Sequence, residues 1–179
     1  AARKRMSVGD RDLVVVFGGS LGSRKINQAV EQVVADWKGK SIVVHHVVGR
    51  REWDDNDPHV AALPVSVDYR RVAYETEMAS VLAAADLVVC RAGATSVAEL
   101  AVVGVPSVLV PLPSAPGDHQ TANARRLVDA GGAVMVKDED LDGVRLSTEF
   151  EALLGDRIVL DRMRELASSL GRPDAADRV

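Results

Sequence analysis

The chain alternates short aliphatic runs with longer segments in which apolar residues recur at helical spacing. Most of the runs are continuously apolar, which is typical of strands that are covered on both faces of a sheet. The predicted strands, the third of them weak, are Leu13–Phe17, Ile42–Val48, Val72–Tyr74, Leu87–Cys90, Ser107–Val110 and Ala133–Val136.

Helical periodicity lies between these runs. Apolar residues follow one helix stripe from Ile26 to Trp37, and the pattern recurs over Met78–Ala85 and over Val159–Leu170. Strands that alternate with helices predict βαβ units and a parallel sheet. The expected fold class is therefore α/β: a Rossmann-like, doubly wound parallel sheet of about six strands, in a single domain over residues 1–179.

Composition narrows the classes of function. Of 179 residues, 47% are apolar and 27% are charged, a globular balance that argues against disorder. Six aromatic residues (two each of Phe, Trp and Tyr) and a net charge of −4 argue against a nucleic-acid partner. The lone Cys90 excludes a disulfide framework and suits a reducing compartment. No apolar run approaches the roughly 20 residues that span a bilayer.

Glycines and a serine follow the first predicted strand, in the order Gly18-Gly19-Ser20-Leu21-Gly22-Ser23. Glycine lets the main chain approach a ligand closely, and the start of the next helix offers free N–H groups to a phosphate. A tight turn without a ligand is the alternative. The loop also fits G-x-S-x-G, the nucleophile elbow of α/β-hydrolases, with Ser20 as nucleophile. However, few strands precede it and no clear acid–histidine pair follows.

The second candidate site follows the fourth predicted strand, over Arg91-Ala92-Gly93-Ala94-Thr95-Ser96-Val97-Ala98-Glu99. Ser96 and Glu99 have the spacing of a capping box, in which two side chains satisfy the first amides of a helix. Alternatively, those amides would hold a diphosphate, and Glu99 would accept hydrogen bonds from a ribose diol. Taken alone, the spacing favours the capping box.

The third candidate site is a loop rich in Pro and Gly that follows the fifth predicted strand and ends in polar residues. Those polar residues are Asp118, His119, Gln120 and Asn123. They offer donors and acceptors suited to sugar hydroxyls, and the alternative is an N-cap by Asp118 ahead of a surface helix. His45 and His46 lie within a predicted strand and are expected to be structural.

In an open parallel sheet, ligands bind beyond the carboxyl ends of the strands, where these three loops lie. A phosphate cradle, a diol acceptor and a hydroxyl-binding loop together indicate a nucleotide-sugar site. The acidic segments Arg50–Pro58 and Asp138–Asp142 are more typical of solvated loops than of metal sites, so no metal cofactor is expected. Helix dipoles would then stabilise a leaving diphosphate. A non-catalytic nucleotide-binding module is the alternative from another class.

The same loops resemble those of a known family. The matching segments are Val16–Ser23 with Asn27, Ala85–Glu99, Gly104–Pro106, Pro111, Asp118–Asn123 and Asp174–Val179. Over almost its whole length the chain resembles the C-terminal, donor-binding domain of the MurG family. These are undecaprenyl-diphospho-muramoylpentapeptide N-acetylglucosaminyltransferases with the GT-B fold.

The resemblance implies transfer of GlcNAc from UDP-GlcNAc to lipid I, forming lipid II for peptidoglycan at the cytoplasmic face of the membrane, without a metal. It implies that the glycine loop and the second site bind the diphosphate, Glu99 the ribose and the third site GlcNAc. The uracil pocket falls at Tyr74-Glu75. A short aliphatic residue followed by Asp-Asp-Met is typical of the family here, and this chain departs from that pattern. The implied donor-binding residues are Gly18, Gly19, Ser20, Gly22, Tyr74, Glu75, Arg91, Ala94, Thr95, Ser96, Glu99, His119, Gln120 and Asn123.

The resemblance covers half of such an enzyme. Both ends of the chain look like cuts from a longer protein, and the N-terminal domain, with its acceptor groove, membrane patch and catalytic base, is not in this sequence. We therefore expect no catalytic residue here, weak nucleotide binding and no transfer by this chain alone. A GT-B enzyme that glycosylates a natural product, with the same type of donor half, is the alternative.

Overall fold

A computed structural model of the chain describes residues 2–54 and 63–172. Its centre is a six-stranded parallel sheet in the order β3-β2-β1-β4-β5-β6. The strands are β1 (Asp12–Phe17), β2 (Ile42–Val47), β3 (Val67–Val72), β4 (Leu87–Cys90), β5 (Ser107–Leu109) and β6 (Ala133–Met135). The helices are α1 (Ala2–Arg5), α2 (Arg24–Asp36), α3 (Met78–Ala84), α4 (Ala94–Val103), α5 (His119–Asp129), α6 (Gly143–Leu154) and α7 (Arg157–Ser168). The order reverses between β1 and β4, which confirms the predicted doubly wound class.

Five of the six strands lie within one residue of the predicted apolar runs, but the prediction of a third strand at Val72–Tyr74 is wrong. The strand β3 covers Val67–Val72 and has the sequence Val-Asp-Tyr-Arg-Arg-Val. It lies at the edge of the sheet, next to β2 alone. The side chains of Asp68 and Arg70 are 32% and 30% exposed there. Charged side chains at an edge discourage pairing with other chains, so an edge strand need not be an apolar run.

The continuous apolar runs reflect a sheet covered on both faces. On β1, Val14 and Val16 pack on one face, against residues of α2, α6 and α7. Leu13, Val15 and Phe17 point to the other face, against residues of α3, α4 and α5. Every residue of β1 is buried, which leaves no polar side of the strand to produce an alternating pattern.

Only part of the apolar stripe predicted for the last helix is buried, namely Met163 and Ala167. In α7 the buried side chains are Leu160, Met163 and Ala167. Val159 and Leu170, which the sequence places on the apolar stripe, are 39% and 40% exposed. None of the helices within residues 2–54 and 63–172 has the length and hydropathy to cross a membrane.

Asp86 ties together the amino ends of the central strands, at the sheet edge opposite the candidate site. Its Oδ2 accepts hydrogen bonds from the Leu13 amide at 2.9 Å and from Arg3 Nη1 at 2.6 Å, and Arg157 Nη1 lies 3.3 Å from Oδ1. Burial alone would raise the pKa of Asp86, but these donors outweigh it and hold the pKa below its usual value. Beside this cluster lies a groove of 530 Å³, and the Arg3, Asp86 and Arg157 side chains that line it already pair with one another.

Candidate functional site

The candidate site lies where the strand order reverses. Phe17, the last residue of β1, pairs in register with Cys90, the last residue of β4. The β1 loop (residues 18–23) and the β4 loop (residues 91–93) therefore leave the sheet side by side, and they lead into α2 and α4. Open α/β sheets bind ligands at this switch point, because the two connections diverge to opposite faces and leave a crevice.

The β1 loop packs main chain against main chain. Gly22 has a φ of +89°, and a Cβ placed on it would lie 2.2 Å from the carbonyl oxygen of Val48. Gly49, with a φ of +96°, would collide with Gly22 in the same way. The sequence prediction includes Gly22 but misses Gly49, whose signal is a glycine directly after the second aliphatic run. Ser20 is exposed in this loop.

The start of α2 is set by Ser23. This buried residue is the N-cap of the helix, and its Oγ accepts from the Ile26 amide at 3.5 Å. Gly18 packs so closely on it that a Cβ would lie 2.4 Å from the Ser23 nitrogen. The β1 loop is thereby held against the first turn of α2.

The helix α4 begins earlier than the capping-box interpretation requires, and that interpretation is wrong. Gly93 is the N-cap, and the first helical hydrogen bond runs from the Val97 amide to the Gly93 carbonyl at 3.0 Å. Ser96 is thus already inside the helix, and Glu99 is exposed in its second turn. The amides of Ala94, Thr95 and Ser96 have no carbonyl one turn earlier within α4 to bind.

Two predicted sugar-binding residues also organise the loops. Gln120 Oε1 accepts from the Ala92 amide at 3.1 Å and from the Leu112 amide at 3.0 Å. Asn123 Nδ2 donates to the Ala92 carbonyl at 3.1 Å. The first two turns of α5 therefore fix both polar main-chain groups of Ala92, a buried residue in the β4 loop. The opposite ends of the two amide side chains, Gln120 Nε2 and Asn123 Oδ1, are not used in these bonds.

His119 and Asp118 lie at the start of α5 and are exposed. His119 Nδ1 is 2.7 Å from the Pro116 carbonyl, which can only accept, so Nδ1 carries the proton and Nε2 is the acceptor of the neutral ring. Asp118 occupies the N-cap position with a φ of +53°, but its Oδ1 accepts from Thr121 Oγ1 at 2.6 Å instead of from a helix amide.

The segment at Tyr74 and Glu75 connects β3 to α3. Glu75 bridges two elements, because Oε2 lies 3.0 Å from His45 Nε2 on β2 and Oε1 accepts from the Glu77 amide at 2.8 Å. Burial lowers the pKa of His45, although the Glu75 carboxylate opposes this shift. The Arg50 guanidinium lies 4.2 Å above the ring of Tyr74, which is 46% exposed.

His46 is structural, as expected, and belongs to a buried polar chain. Asn27 Nδ2 donates to the Val48 carbonyl at 3.0 Å, so Asn27 Oδ1 is the acceptor for His46 Nε2 at 2.9 Å. His46 Nδ1 then accepts from the Tyr69 hydroxyl at 2.6 Å. Burial, with the nearby Arg71 charge, lowers the pKa of His46 to about 3. These hydrogen bonds connect α2 to β2 and β3 below the β1 loop.

Arg91 is largely buried, and its guanidinium contacts several segments of the chain. Nη2 donates to Ser23 Oγ at 2.8 Å, and Nη1 donates to the Val110 and Pro111 carbonyls at 3.3 Å each. Asp138 Oδ1, in the turn after β6, lies 2.6 Å from Nη1. Arg91 therefore joins the loops that follow β1, β5 and β6.

Two carboxylates of the acidic segment Asp138–Asp142 contact other groups of the chain. Asp138 pairs with Arg91, and Asp142 caps α6 by accepting from the Arg145 amide at 2.7 Å. Within residues 2–54 and 63–172, no group of three or more His, Cys, Asp or Glu side chains is placed to hold a metal ion. Part of the acidic segment Arg50–Pro58 lies outside the described residues. The same holds for Asp174–Val179, one of the segments that carry the family resemblance.

The sequence profile of the glycosyltransferase family 28 C-terminal domain matches residues 13–179. The chain belongs to this family. A relative from Nitratidesulfovibrio vulgaris (strain DP4), "UDP-N-acetylglucosamine--N-acetylmuramyl-(pentapeptide) pyrophosphoryl-undecaprenol N-acetylglucosamine transferase", is 45% identical over 93% of this chain and 45% of its own length. A relative of the same name from Alkalilimnicola ehrlichii is 42% identical over 93% of this chain and 46% of its own. The family 28 chain thus spans about half the length of these curated relatives.

Solved structures agree with this assignment. Acinetobacter baumannii MurG superposes with a TM-score of 0.86 and 29% identity, over 99% of this chain and 51% of that one. The calicheamicin glycosyltransferase CalG4 reaches a TM-score of 0.65 at 24% identity, over 94% and 42% of the two chains, and shows the shared fold alone. The resemblance and the GT-B half-fold are confirmed. Family membership argues against the hydrolase interpretation, and no hydrogen bond within the described residues joins Ser20 to a histidine.

Proposed function

We propose that this chain is a single nucleotide-sugar-binding domain over residues 1–179, the donor half of an enzyme that transfers GlcNAc from UDP-GlcNAc to lipid I, forming lipid II. The observation that carries the proposal is the convergence of the β1 glycine loop and the uncapped first turn of α4 at the switch point. The names of the relatives support the donor and the reaction. The remaining half of their length is where the acceptor groove and the catalytic base belong.

The diphosphate binds between the β1 loop and α4. The amides of Ala94, Thr95 and Ser96 donate to it from one side, and the loop from Gly18 to Gly22 approaches from the other. Helix N-termini favour anions by roughly 0.3–2 kcal/mol each, because the peptide dipoles leave positive charge at that end. The same ends stabilise the diphosphate as it leaves.

The ribose, the sugar and the base are bound by three further groups. Glu99, exposed one turn beyond the amides and without a role in capping α4, accepts from the ribose hydroxyls. His119 Nε2, Gln120 Nε2 and Asn123 Oδ1 contact GlcNAc from the start of α5. The main chain at Tyr74 and Glu75 contacts uracil.

Metal independence and location complete the proposal. We propose that the helix ends replace a divalent ion, so that EDTA leaves the affinity for UDP-GlcNAc unchanged, whereas a strong loss of affinity would contradict this. The whole enzyme lies at the cytoplasmic face of the membrane as a peripheral protein, contacts its lipid-linked acceptor through its other half and has no nucleic-acid partner. A natural-product transferase is supported by fold similarity alone, since CalG4 is 24% identical.

Titration calorimetry of this chain tests the proposal. UDP-GlcNAc should bind more tightly than UDP-glucose, and both more tightly than TDP- and GDP-sugars. Equal affinity for all of these ligands, or no binding of UDP-GlcNAc, would overturn it. A second arm adds lipid I and UDP-GlcNAc. We expect no lipid II from this chain alone, and turnover would show that the acceptor site and the base are already present.

A further inference from the structure

The Arg91 guanidinium lies at the meeting point of three loops on the candidate edge of the sheet. Its polar atoms contact Ser23 Oγ at 2.8 Å, the Val110 and Pro111 carbonyls at 3.3 Å and Asp138 Oδ1 at 2.6 Å. The side chain is 12% exposed, and that of Asp138 is 22% exposed. The donors of a guanidinium have fixed directions, so those used in these contacts are not aimed at a ligand.

We propose that Arg91 and Asp138 are positioning residues for the diphosphate site, and that Arg91 is not itself a phosphate ligand. This inference rests on the proposed function. Asp138 supplies the negative charge that a largely buried guanidinium requires. The turn after β6 thereby becomes part of the site, although it would not touch the nucleotide.

The path from Asp138 to the phosphate-binding loop is short. Arg91 holds the hydroxyl of Ser23, and Ser23 is the residue that caps α2 and against which Gly18 packs without room for a Cβ. Arg91 also precedes Ala92, whose amide and carbonyl are fixed from α5. A shift of the guanidinium would therefore move the two halves of the diphosphate cradle relative to each other.

The alternative, a direct contact between Arg91 and phosphate, makes the opposite prediction for Asp138. If Asp138 only competes with phosphate for the guanidinium, then Asp138→Asn frees the cation and tightens UDP binding. If Asp138 holds Arg91 in position, the same substitution weakens UDP binding. The sign of the change therefore separates the two roles.

Titration calorimetry with UDP and with uridine tests the inference. Asp138→Asn and Arg91→Lys should each weaken UDP binding by roughly tenfold, the scale of one lost charge-assisted contact, because lysine cannot bridge several acceptors. Uridine, which lacks the diphosphate, should keep its affinity in both variants. The double variant should bind UDP no more weakly than the single variant with the lower affinity, because both substitutions disrupt the same Arg91–Asp138 pair.

Glu139→Gln is the matched control. Glu139 lies next to Asp138 in the same turn, and its pair with Lys137 is highly exposed, so UDP affinity should stay within about twofold of wild type. UDP binding by Asp138→Asn that equals the control or exceeds wild type would overturn the inference, as would an equal loss for uridine. If that variant does not fold, Ser23→Ala tests the same path. Failure of the wild-type chain to bind UDP would instead overturn the proposed function.

Discussion

Replacing His46 should remove a defined part of the acid sensitivity of the fold. The ring is fully buried, and its two nitrogens are committed to Asn27 and Tyr69 in the neutral form. The ring already donates at Nε2, so a proton added at Nδ1 would turn the remaining acceptor into a donor. The hydrogen bond from the Tyr69 hydroxyl would then be lost. The folded state therefore resists protonation, while the unfolded chain accepts the proton near the ordinary histidine pKa of about 6.5.

The magnitude follows from the pKa of His46, which is lowered to about 3 in the folded state. A depressed pKa means that the unfolded state binds more protons between pH 6.5 and 3, so stability is present above that window and falls as the pH falls through it. The slope is about 1.4 kcal/mol per pH unit at its steepest. From pH 7 to pH 5 the loss due to His46 is about 2 kcal/mol. At pH 5 most carboxylates are still ionised, so they add little to it.

Urea unfolding of the wild type and of His46→Gln at pH 7 and pH 5 measures how much His46 contributes to the loss of stability on acidification. The variant is less stable at pH 7, but it should lose about 2 kcal/mol less than wild type on acidification. His119→Gln, which removes an exposed histidine, should follow the wild-type curve. Equal losses in wild type and His46→Gln would refute the reasoning. If the variant does not fold, an NMR titration of the His46 ring decides, and protonation above pH 5 would contradict the account.

Three further predictions concern single side chains. Gly22→Ala and Gly19→Ala both place alanine at positive φ, at a cost of about 1–2 kcal/mol each. Only the new Cβ at position 22 meets a carbonyl oxygen, that of Val48 at 2.2 Å. Gly22→Ala should therefore unfold at clearly lower urea, and equal midpoints would contradict the close approach. Glu99→Ala should change the unfolding free energy by less than about 0.5 kcal/mol, because it caps no helix, while calorimetry shows weaker UDP binding. A stability loss without an affinity loss would restore the capping role. Asp86→Ala should lower the unfolding free energy, measured in urea, by about 2–3 kcal/mol. Asp161→Ala removes an exposed ion pair and should leave the unfolding free energy almost unchanged. Similar losses in the two variants would contradict the anchoring role of Asp86.

The sheet could be predicted from the sequence wherever strands are buried on both faces, because burial leaves a continuous apolar run. It could not be predicted at β3, where an edge position permits Asp68, Arg70 and Arg71 in the strand. The glycine loop could also be predicted, since Gly18 stands directly after the first aliphatic run and Gly22 follows in the same loop. Gly49 also stands directly after an aliphatic run, but its role could not be predicted, because a single sequence does not show that it packs against the main chain of Gly22 in the neighbouring loop.

The candidate site was predictable in its location but not in its side-chain roles. Local spacing made Ser96 and Glu99 look like a capping box, because it does not show that the helix begins at Ala94. Arg91 is joined to Ser23, 68 residues earlier in the chain, and to Asp138 beyond the next two strands. Contacts over such separations leave no pattern in a single sequence, so Asp138 looked like an ordinary solvated carboxylate.

Mapping of amide chemical shifts by NMR, with UDP-GlcNAc added to the labelled chain, tests the central claim most directly. The account predicts the largest changes at the amides of Gly18–Gly22 and Ala94–Ser96, with smaller changes at the start of α5. The amides around Asp86, at the opposite edge of the sheet, should stay unchanged. Changes concentrated at that opposite edge, or none at the first turn of α4, would contradict a donor site at the switch point.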